Sequence, residues 1–482
     1  MARAYHELTK HSPRSVSANP HSLDWSNQPL PFKIYTALDG LRLPTQFEAS
    51  AGSALHAIAG VVPPDPARVI DRSLLAQLLY YANGITKLLR GMPFRAAACT
   101  GALYHIELYV ACQDLPELEA GVYHYSAHDH SLRQLRRGDY RAELVDATGA
   151  SPEVLHAQAI VALTSTFWRN SWKYQARAYR HSFWDSGTIL ANLLAVANAQ
   201  RVLASLVVGF ADAPVNRVLD VDPSHEAAVC LVALGANGAS PPPAPSVAPL
   251  DYPTRPLSAR EVDYPAIAEA HAATSLPSGS AAASWRAPGT ATHASAELTL
   301  PSTPPIEQVI AQRGSARRFS RTPIPLDHLQ AILDAATQPI PSDIGSRLTT
   351  PYLIVNAVDG LRPSAYVYRS DLHPLREGDF RDQAGFLDLG QTLAADAAVN
   401  VYSLTDLDDV LEKLGDRGYR AAQLEGAIEG GKLYLAAYAL GLGATGLTFF
   451  DDDVSRFFGV PEHAVMFLTA LGTPQRSLTT RH

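Results

Sequence analysis

The hydrophobic pattern of the first 235 residues predicts a mixture of helices and strands. Apolar positions that recur at helical spacing predict a helix over 73–86, with Ser73 as its N-cap. A second, buried helix is predicted to follow the aromatic and basic stretch 167–181. This order is typical of an α+β domain. Alternating or continuous apolar runs predict strands within 103–111, 121–135, 160–165 and 227–234.

The middle of the chain has a different composition. Residues 236–303 are rich in proline, alanine and serine, and such a stretch cannot bury a hydrophobic core. It is therefore interpreted as a linker or a long surface arm. Only the part over 259–273 could form a helix.

The second half of the chain repeats short motifs of the first half in the same order. The members of each pair lie roughly 240 residues apart. Ordered self-similarity of this kind predicts an internal duplication. We therefore expect two tandem α+β domains, 1–235 and 304–482, that form an intramolecular pseudo-dimer with sites between the halves. The matched motifs are Tyr123 and Tyr125 with Tyr366 and Tyr368, 138–141 with 378–381, 177–180 with 417–420, and 234–235 with 471–472.

Charge and composition argue against several classes of protein. The formal net charge is −8, so no basic surface favours nucleic acid as a partner. Three cysteines without a CxxC pair indicate a reduced compartment, and the histidines lack the paired spacing of a metal site. The first ten residues contain no signal-peptide core, and no apolar run approaches the roughly 18 residues of a membrane span. We expect a cytoplasmic protein that uses neither metal nor membrane; a homodimer is compatible with the sequence but cannot be read from it.

The stretch 167–194 is the first candidate for chemistry. It holds three of the five tryptophans, and several cations lie among them, including His181 if that residue is protonated. A charged, aromatic segment that runs into a buried helix is typical of the wall of a site. The alternative is a solvated loop before a core helix.

A basic loop opens the second half. Arg313, Ser315 and Arg317 would project to one side of an extended chain. Two guanidinium groups and a hydroxyl can hold a phosphate. A solvated basic loop is the alternative.

Three glycines in 441–446 follow a long predicted helix. Glycine lets a ligand ring lie close to the backbone, whose N–H groups can then donate to it. A helix C-cap followed by a turn is the alternative. The pattern is not a GxGxxG after a strand, so it does not predict a Rossmann site.

Together these residues resemble the nitroreductase-like flavin enzymes, and in particular their SagB-type, or thiazoline oxidase, branch in a tandem two-domain form. The resemblance implies that FMN is the cofactor. It also implies that Lys173 and Tyr174 carry a proton-transfer step, with Tyr174 as the base if Lys173 lowers its pKa. The cofactor-binding residues implied are Arg313, Ser315, Arg317, Pro341, Ser342, Gly443, Gly446, Arg95, Cys99, Gly101 and Asn192.

This sequence departs from the pattern of the branch at three places. Ala98 and Cys99 stand where the branch usually has Pro-Ser. The first half has no Arg-x-Ser-x-Arg, and the second half has no Lys-Tyr before Arg417. Either one composite site is active, or the flavin site of the first half has decayed.

The resemblance implies oxidation of azoline rings. Thiazoline or oxazoline rings of a modified peptide, or of a related small molecule, would become azoles with O₂ as electron acceptor. A biosynthetic partner such as a cyclodehydratase would supply that substrate. An NAD(P)H-dependent nitro or quinone reductase is one alternative, and a non-catalytic scaffold or docking subunit is another.

Overall fold

A computed structural model describes residues 1–18, 20–286 and 298–475 of the chain. In both halves the strands pair in an antiparallel manner. The first-half strands are β1 Gly40–Arg42, β2 Ile85–Leu89, β3 Met92–Arg95, β4 Ile106–Cys112, β5 Gly121–Ser126, β6 Ser131–Arg137, β7 Ala159–Thr166, β8 Ala204–Val207 and β9 Glu226–Leu234. Those of the second half are β10 Thr350–Val355, β11 Ser364–Tyr368, β12 Leu372–Glu377, β13 Val399–Asp406, β14 Gly443–Gly446 and β15 His463–Gly472.

The two sheets have the same strand order. In the first half the order is β1-β6-β5-β4-β7-β9-β8, and in the second half it is β12-β11-β10-β13-β15-β14. The edge strand β1 has no counterpart in the described part of the second sheet, and β2 and β3 form a separate hairpin. The shared order confirms the predicted tandem α+β duplication.

Helices flank both sheets. Those of the first half are α1 Ala2–Leu8, α2 Pro13–Ala18, α3 Ala54–Ala59, α4 Arg72–Asn83, α5 Arg141–Ala147, α6 Pro152–Leu155, α7 Phe167–Tyr174, α8 Ala178–Ala199 and α9 Asp212–Leu219. The remainder are α10 Pro265–Ala273, α11 Gly279–Trp285, α12 Ile306–Gln312, α13 Leu326–Ala336, α14 Arg381–Leu387, α15 Thr392–Asp396, α16 Leu407–Leu414, α17 Gly418–Ala439 and α18 Asp451–Phe458. Across the described ranges, no helix combines the length and apolar character needed to cross a bilayer.

The N-cap predicted for α4 is wrong by two residues. The Asp71 carboxylate accepts a hydrogen bond from the Leu74 backbone N–H at 2.7 Å, so Asp71 is the cap and not Ser73. Both residue types can cap a helix. Only the backbone geometry at the end of the preceding loop selects between them.

The two long helices α8 and α17 cross at glycines. A Cβ atom at Gly187 would lie 2.4 Å from the Cβ of Ala427, and one at Gly431 would lie 2.6 Å from the Cβ of Ala191. Since real Cβ atoms do not approach this closely, the glycines allow the two backbones to meet. The halves therefore pack about a pseudo-two-fold axis between these helices.

Ion pairs cross between the halves in both directions. Arg180 of the first half lies 2.6 Å from Asp451, and Arg420 of the second half lies 2.7 Å from Asp212. All four side chains are buried. Each half thus supplies the carboxylate that neutralises the other half's arginine.

Part of the predicted linker is the second half's counterpart of α1. The Arg180 guanidinium contacts α1 and the residue that follows it, and Arg420 makes the same contacts with α10. In each case the guanidinium donates to a histidine carbonyl and to a threonine hydroxyl, which are His6 and Thr9 for Arg180, and His271 and Thr274 for Arg420. The proline-rich composition did not reveal this, because few residues of the segment are buried.

Candidate functional site

The loop that begins at Arg313 joins the two halves. The Ala316 N–H donates to the Ala444 carbonyl at 2.9 Å, which places the loop beside β14. The Arg313 guanidinium donates through Nε to the Ala96 carbonyl at 2.7 Å and through Nη2 to the Arg95 carbonyl at 3.1 Å. Arg313 is buried, and burial lowers its pKa. It is therefore a bridge between the halves rather than a free guanidinium fork.

Ser315 and Arg317 are the accessible members of the same loop. Arg317 is exposed and has no hydrogen bond or ion pair within the described ranges. The Ser315 Oγ lies 3.5 Å from the Tyr434 hydroxyl, which also accepts a hydrogen bond from the Gly446 N–H. The Ser315 hydroxyl and the exposed Gly446 backbone thus meet at the Tyr434 hydroxyl.

The glycine segment 441–446 divides into a cap and a strand. Gly441 has a φ of 76° directly after α17, a conformation that suits glycine at the end of a helix. Gly443 begins β14, and a Cβ atom there would lie 3.1 Å from Pro474. Gly446 ends the strand and is exposed. The helix-cap alternative therefore applies to Gly441, and ligand binding at Gly443 and Gly446 stays a prediction.

The facing wall of the site comes from the first half. The Arg95 side chain lies between the rings of Phe32 and Tyr104 and donates to the Pro31 carbonyl at 2.6 Å. Its guanidinium thus contacts the segment before β1, and only its carbonyl contacts Arg313. Arg95 supports the loop rather than presenting a charge to a ligand.

Cys99 is held by a buried carboxylate that the sequence did not reveal. The Cys99 thiol donates to Asp185 at 3.0 Å, and the Thr100 N–H and the His105 Nε2 also bind this carboxylate. Donors reach both oxygens of Asp185. Burial and the neighbouring Asp185 raise the pKa of the Cys99 thiol, so it stays protonated. An aspartate within the largely apolar sequence of helix α8 is the feature from which this contact could have been predicted.

Lys173 and Tyr174 end helix α7, and Tyr174 faces the same loop. Gly101 has a φ of 64°, and a Cβ atom there would lie 2.8 Å from the Tyr174 hydroxyl oxygen. The Lys173 Nζ lies 5.3 Å from the centre of the Tyr174 ring. The structure thus brings Tyr174 onto Gly101, close to Cys99 and Asp185.

The predicted lowering of the Tyr174 pKa is wrong. Burial raises the pKa of Tyr174, and the nearby Asp185 and Cys99 raise it further. Lys173 is not among the groups that shift it. The neutral phenol is therefore the form present at neutral pH.

His181 packs on the other face of Tyr174. The two ring centroids are 4.6 Å apart, and the His181 Nδ1 lies 2.7 Å from the Asn170 side-chain oxygen. Burial and the adjacent Arg177 lower the pKa of His181, so it is neutral rather than the cation considered from the sequence. Because Nδ1 donates to the Asn170 oxygen, Nε2 is the acceptor atom of this neutral imidazole.

Asn192 anchors α8 beneath this wall. Its side-chain amide donates to the Tyr81 carbonyl at 2.9 Å, and the Thr188 hydroxyl donates to the Ala98 carbonyl at 2.7 Å. The Thr188 contact holds the first-half loop, and the Asn192 contact holds helix α4. Asn192 is buried, and its hydrogen bond is to protein.

The structure does not bring Pro341 and Ser342 together with Arg313. The Pro341 carbonyl accepts a hydrogen bond from the Leu206 N–H at 2.8 Å, and Ser342 pairs with Leu206. Leu206 lies in β8, which is the first half's counterpart of β14. The two residues therefore border the pseudo-symmetric position on the opposite side of the molecule.

Comparisons with known proteins agree with this architecture. A family model described as "Nitroreductase family" matches residues 65–236 and 310–473. A protein of Methanocaldococcus jannaschii classed as a nitroreductase is 25% identical over 147 residues, which cover 30% of this chain and 73% of that protein. A crystal structure from Anabaena variabilis, also classed as a nitroreductase, has a TM-score of 0.77 at 27% identity over 98% of this chain and 99% of that chain. This overlap shows that the tandem arrangement is shared.

A further solved structure overlaps with about half of the chain. It is the Escherichia coli microcin synthetase McbBCD complex with truncated pro-MccB17 bound. The match has 18% identity and a TM-score of 0.34, and it covers 48% of this chain and 90% of that chain.

Proposed function

Since this chain belongs to the nitroreductase family, we propose that it is an FMN-dependent dehydrogenase or oxidase with one cofactor site between its halves. The observation that carries the proposal is the pair of hydrogen bonds from Arg313 to the Ala96 and Arg95 carbonyls. They hold the loop 313–317 and the exposed end of β14 against the first-half loop 95–101. Cys99 and Gly101 belong to the first-half loop, whereas Ser315 and Arg317 belong to the second-half loop.

The second-half residues at this junction fit FMN. The exposed Arg317 guanidinium and the Ser315 hydroxyl would bind the phosphate, because charge-assisted hydrogen bonds suit a phosphate oxygen. The exposed Gly446 would let the flavin ring lie on the backbone. When bound, FMN supplies a two-electron acceptor.

The proposed substrate is an azoline ring of a modified peptide or a related small molecule, with O₂ as electron acceptor. The support is the Lys173-Tyr174 motif, whose tyrosine hydroxyl lies over Gly101 at the site wall. Tyr174 would hold the ring nitrogen by a hydrogen bond, while the neutral His181 beside it would accept the proton that leaves the ring carbon. A cyclodehydratase is the class of partner that makes such rings.

The raised pKa of Tyr174 also favours a second function. Reduction of a nitroarene or a quinone with NAD(P)H needs a proton donor at the substrate, and a neutral buried phenol is one. In that reaction Tyr174 would donate its proton to the substrate oxygen.

Two assays on the same flavin-containing protein separate these functions. The first incubates it in air with a thiazoline-containing peptide and measures loss of two hydrogen atoms by mass spectrometry. The second follows NAD(P)H consumption with a nitroarene or a quinone. The Tyr174→Phe variant serves as the control in both. Azole formation that depends on Tyr174 supports the first proposal, whereas turnover in the second assay alone supports the reductase.

A further inference from the structure

A tyrosine hydroxyl lies between the two second-half segments of the proposed flavin site. Tyr434 of α17 is buried, and its hydroxyl oxygen accepts a hydrogen bond from the Gly446 N–H. The same oxygen lies 3.5 Å from the Ser315 Oγ. A Cβ atom added to Gly446 would lie 3.6 Å from it, so the exposed end of β14 passes directly beside the hydroxyl. Tyr434 therefore contacts both the 313–317 loop and the glycine strand.

The hydrogen of this hydroxyl is available to a ligand. A tyrosine hydroxyl has one hydrogen to donate and can accept as well, and the Gly446 N–H uses its acceptor side. Among the described residues, only the Ser315 Oγ lies near enough to take the hydrogen. At 3.5 Å this oxygen is more distant than the roughly 2.5–3.0 Å that is typical of an O–H···O hydrogen bond. Since the hydroxyl of a buried tyrosine usually finds a partner, a ligand between the two segments would supply one.

The equivalent position in the first half has no hydroxyl. Leu194 and Tyr434 are each the seventeenth residue of a helix that is 22 residues long, α8 and α17. The loop 60–64 follows α3 as the 313–317 loop follows α12, and its sequence Gly-Val-Val-Pro-Pro contains neither hydroxyl nor cation. Leu194 lines the same small space as the two ends of that loop.

Packing of the long helix therefore does not require a tyrosine at this position. An apolar side chain stands beside the apolar loop, and a hydroxyl stands beside the loop that contains Ser315 and Arg317. The two features change together between the halves. This indicates that the Tyr434 hydroxyl serves the polar loop and its ligand rather than the fold of α17.

We propose that Tyr434 binds the ribityl chain of FMN by donating its hydroxyl hydrogen to a chain hydroxyl. The inference rests on the proposed function, in which Ser315 and Arg317 take the phosphate and Gly446 carries the flavin ring. In FMN the ribityl chain joins the ring to the phosphate, and Tyr434 contacts both segments that would hold those two ends. The hydroxyl groups of the chain are neutral acceptors, which suit a tyrosine hydroxyl.

An analogue of FMN isolates the chain from the rest of the cofactor. Its chain carries hydrogen atoms in place of the hydroxyl groups, while the ring and the phosphate are unchanged. Both compounds are titrated by fluorescence into the cofactor-free parent and into Tyr434→Phe, which keeps the aromatic ring. We expect the variant to bind FMN about three- to tenfold more weakly, as for a lost neutral hydrogen bond, and to bind the analogue as tightly as the parent does.

Tyr438→Phe is the matched control. Tyr438 lies one turn further along α17, and its hydroxyl lies 3.5 Å from a Cβ atom added to Gly314 in the same loop. This variant should keep the parental ratio of FMN affinity to analogue affinity. An equal fall of the ratio in both variants would overturn the assignment to Tyr434.

The other outcomes separate this inference from the proposed flavin site. Equal weakening of FMN and the analogue in Tyr434→Phe would mean that the hydroxyl acts through the loop, the phosphate or the ring, and would refute the chain contact. Unchanged FMN affinity in Tyr434→Phe, with weakened binding in Arg317→Ala, would refute the chain contact and leave the flavin site in place. A parent that binds no FMN would refute the flavin site and the chain contact together.

Discussion

The Nε atom of Arg313 in the second half donates a hydrogen bond to the carbonyl oxygen of Ala96 in the first half at 2.7 Å. The contact attaches the loop beside β14, the edge strand of the second sheet, to the first-half loop 95–101. It means that the two arginines of the 313–317 loop have different tasks. Arg313 joins the halves, whereas Arg317 is exposed and available to a phosphate.

Arg317→Ala should weaken FMN binding without destabilising the protein. A lost hydrogen bond to a charged group costs about 1.5–3 kcal/mol, which corresponds to roughly 10- to 150-fold in affinity. Fluorescence titration of FMN into cofactor-free protein measures this. The neighbouring Arg318→Ala is the matched control, since Arg318 is also exposed. Equal FMN affinity in the two variants would contradict the assignment of Arg317.

Arg313→Ala should lower both stability and flavin affinity. The change leaves the Ala96 and Arg95 carbonyls without their donor, and a buried unsatisfied group costs about 1–3 kcal/mol. Thermal unfolding of the cofactor-free protein should therefore shift down in Arg313→Ala and stay constant in Arg317→Ala. The double variant should be colourless, because it lacks the Arg317 hydrogen bond to the phosphate and also the contact that holds the loop of Ser315 in place. Yellow double-variant protein with full flavin content would refute this site.

Tyr174→Phe should retain fold and flavin but lose substrate turnover. In the reductase, loss of this proton donor should cost roughly 10²- to 10⁴-fold. In the azoline oxidase, where Tyr174 holds the ring by a hydrogen bond, the loss should be smaller. Because burial raises the pKa of Tyr174, the tyrosine stays neutral, and turnover should show no tyrosine ionisation near pH 7. Steady-state rates from pH 6 to pH 9 measure this, with Lys173→Ala as the companion variant. Turnover at the parental rate in Tyr174→Phe would make the pair structural.

Gly101→Ala should displace Tyr174. The residue has a φ of 64°, and the added Cβ would lie 2.8 Å from the tyrosine hydroxyl. Gly91→Ala is the matched control, because Gly91 has a φ of 78° but no atom within 4 Å of an added Cβ. Both variants should lose about 1–2 kcal/mol of stability through the left-handed backbone. Only Gly101→Ala should also reduce turnover, and similar turnover in both would argue against close contact with Tyr174.

The ion pairs between the halves should weaken in acid. Burial alone would raise the pKa of Asp212, but Arg417 and Arg420 lower it to about 2. An unfolded aspartate has a pKa of ~3.9, so the pair contributes about 2–3 kcal/mol above that pH, and this is lost as pH falls through 2. Urea unfolding of the parent and of Asp212→Asn should therefore differ most at pH 7 and converge toward pH 2. The exposed Asp371→Asn is the control, and a difference that does not change with pH would exclude this linkage.

The duplication and the composition of the sheets could be predicted because they follow from local patterns. Alternating apolar residues specify strands wherever one or both faces are buried, and the paired motifs around Tyr123 and Tyr366 mark the same hairpin in each half. The loop at Arg313 and the motif at Lys173 and Tyr174 were also readable, because their residue types and spacing are local features. The sequence did not predict that α10 packs with the second half. Few of its residues are buried, and its contacts come from α17, which is far away along the chain.

Sequence alone determined which residues could do chemistry; the tertiary structure decided which of them meet. Pro341 and Ser342 are separated from Arg313 because the pseudo-two-fold axis creates two equivalent positions between the halves. The sequence pattern does not specify to which of these two positions a loop contributes. The protonation of Tyr174 was likewise decided by burial and by Asp185, which belongs to a different helix. Desolvation and charge act through space, so residues far apart in sequence determine the chemistry of this site.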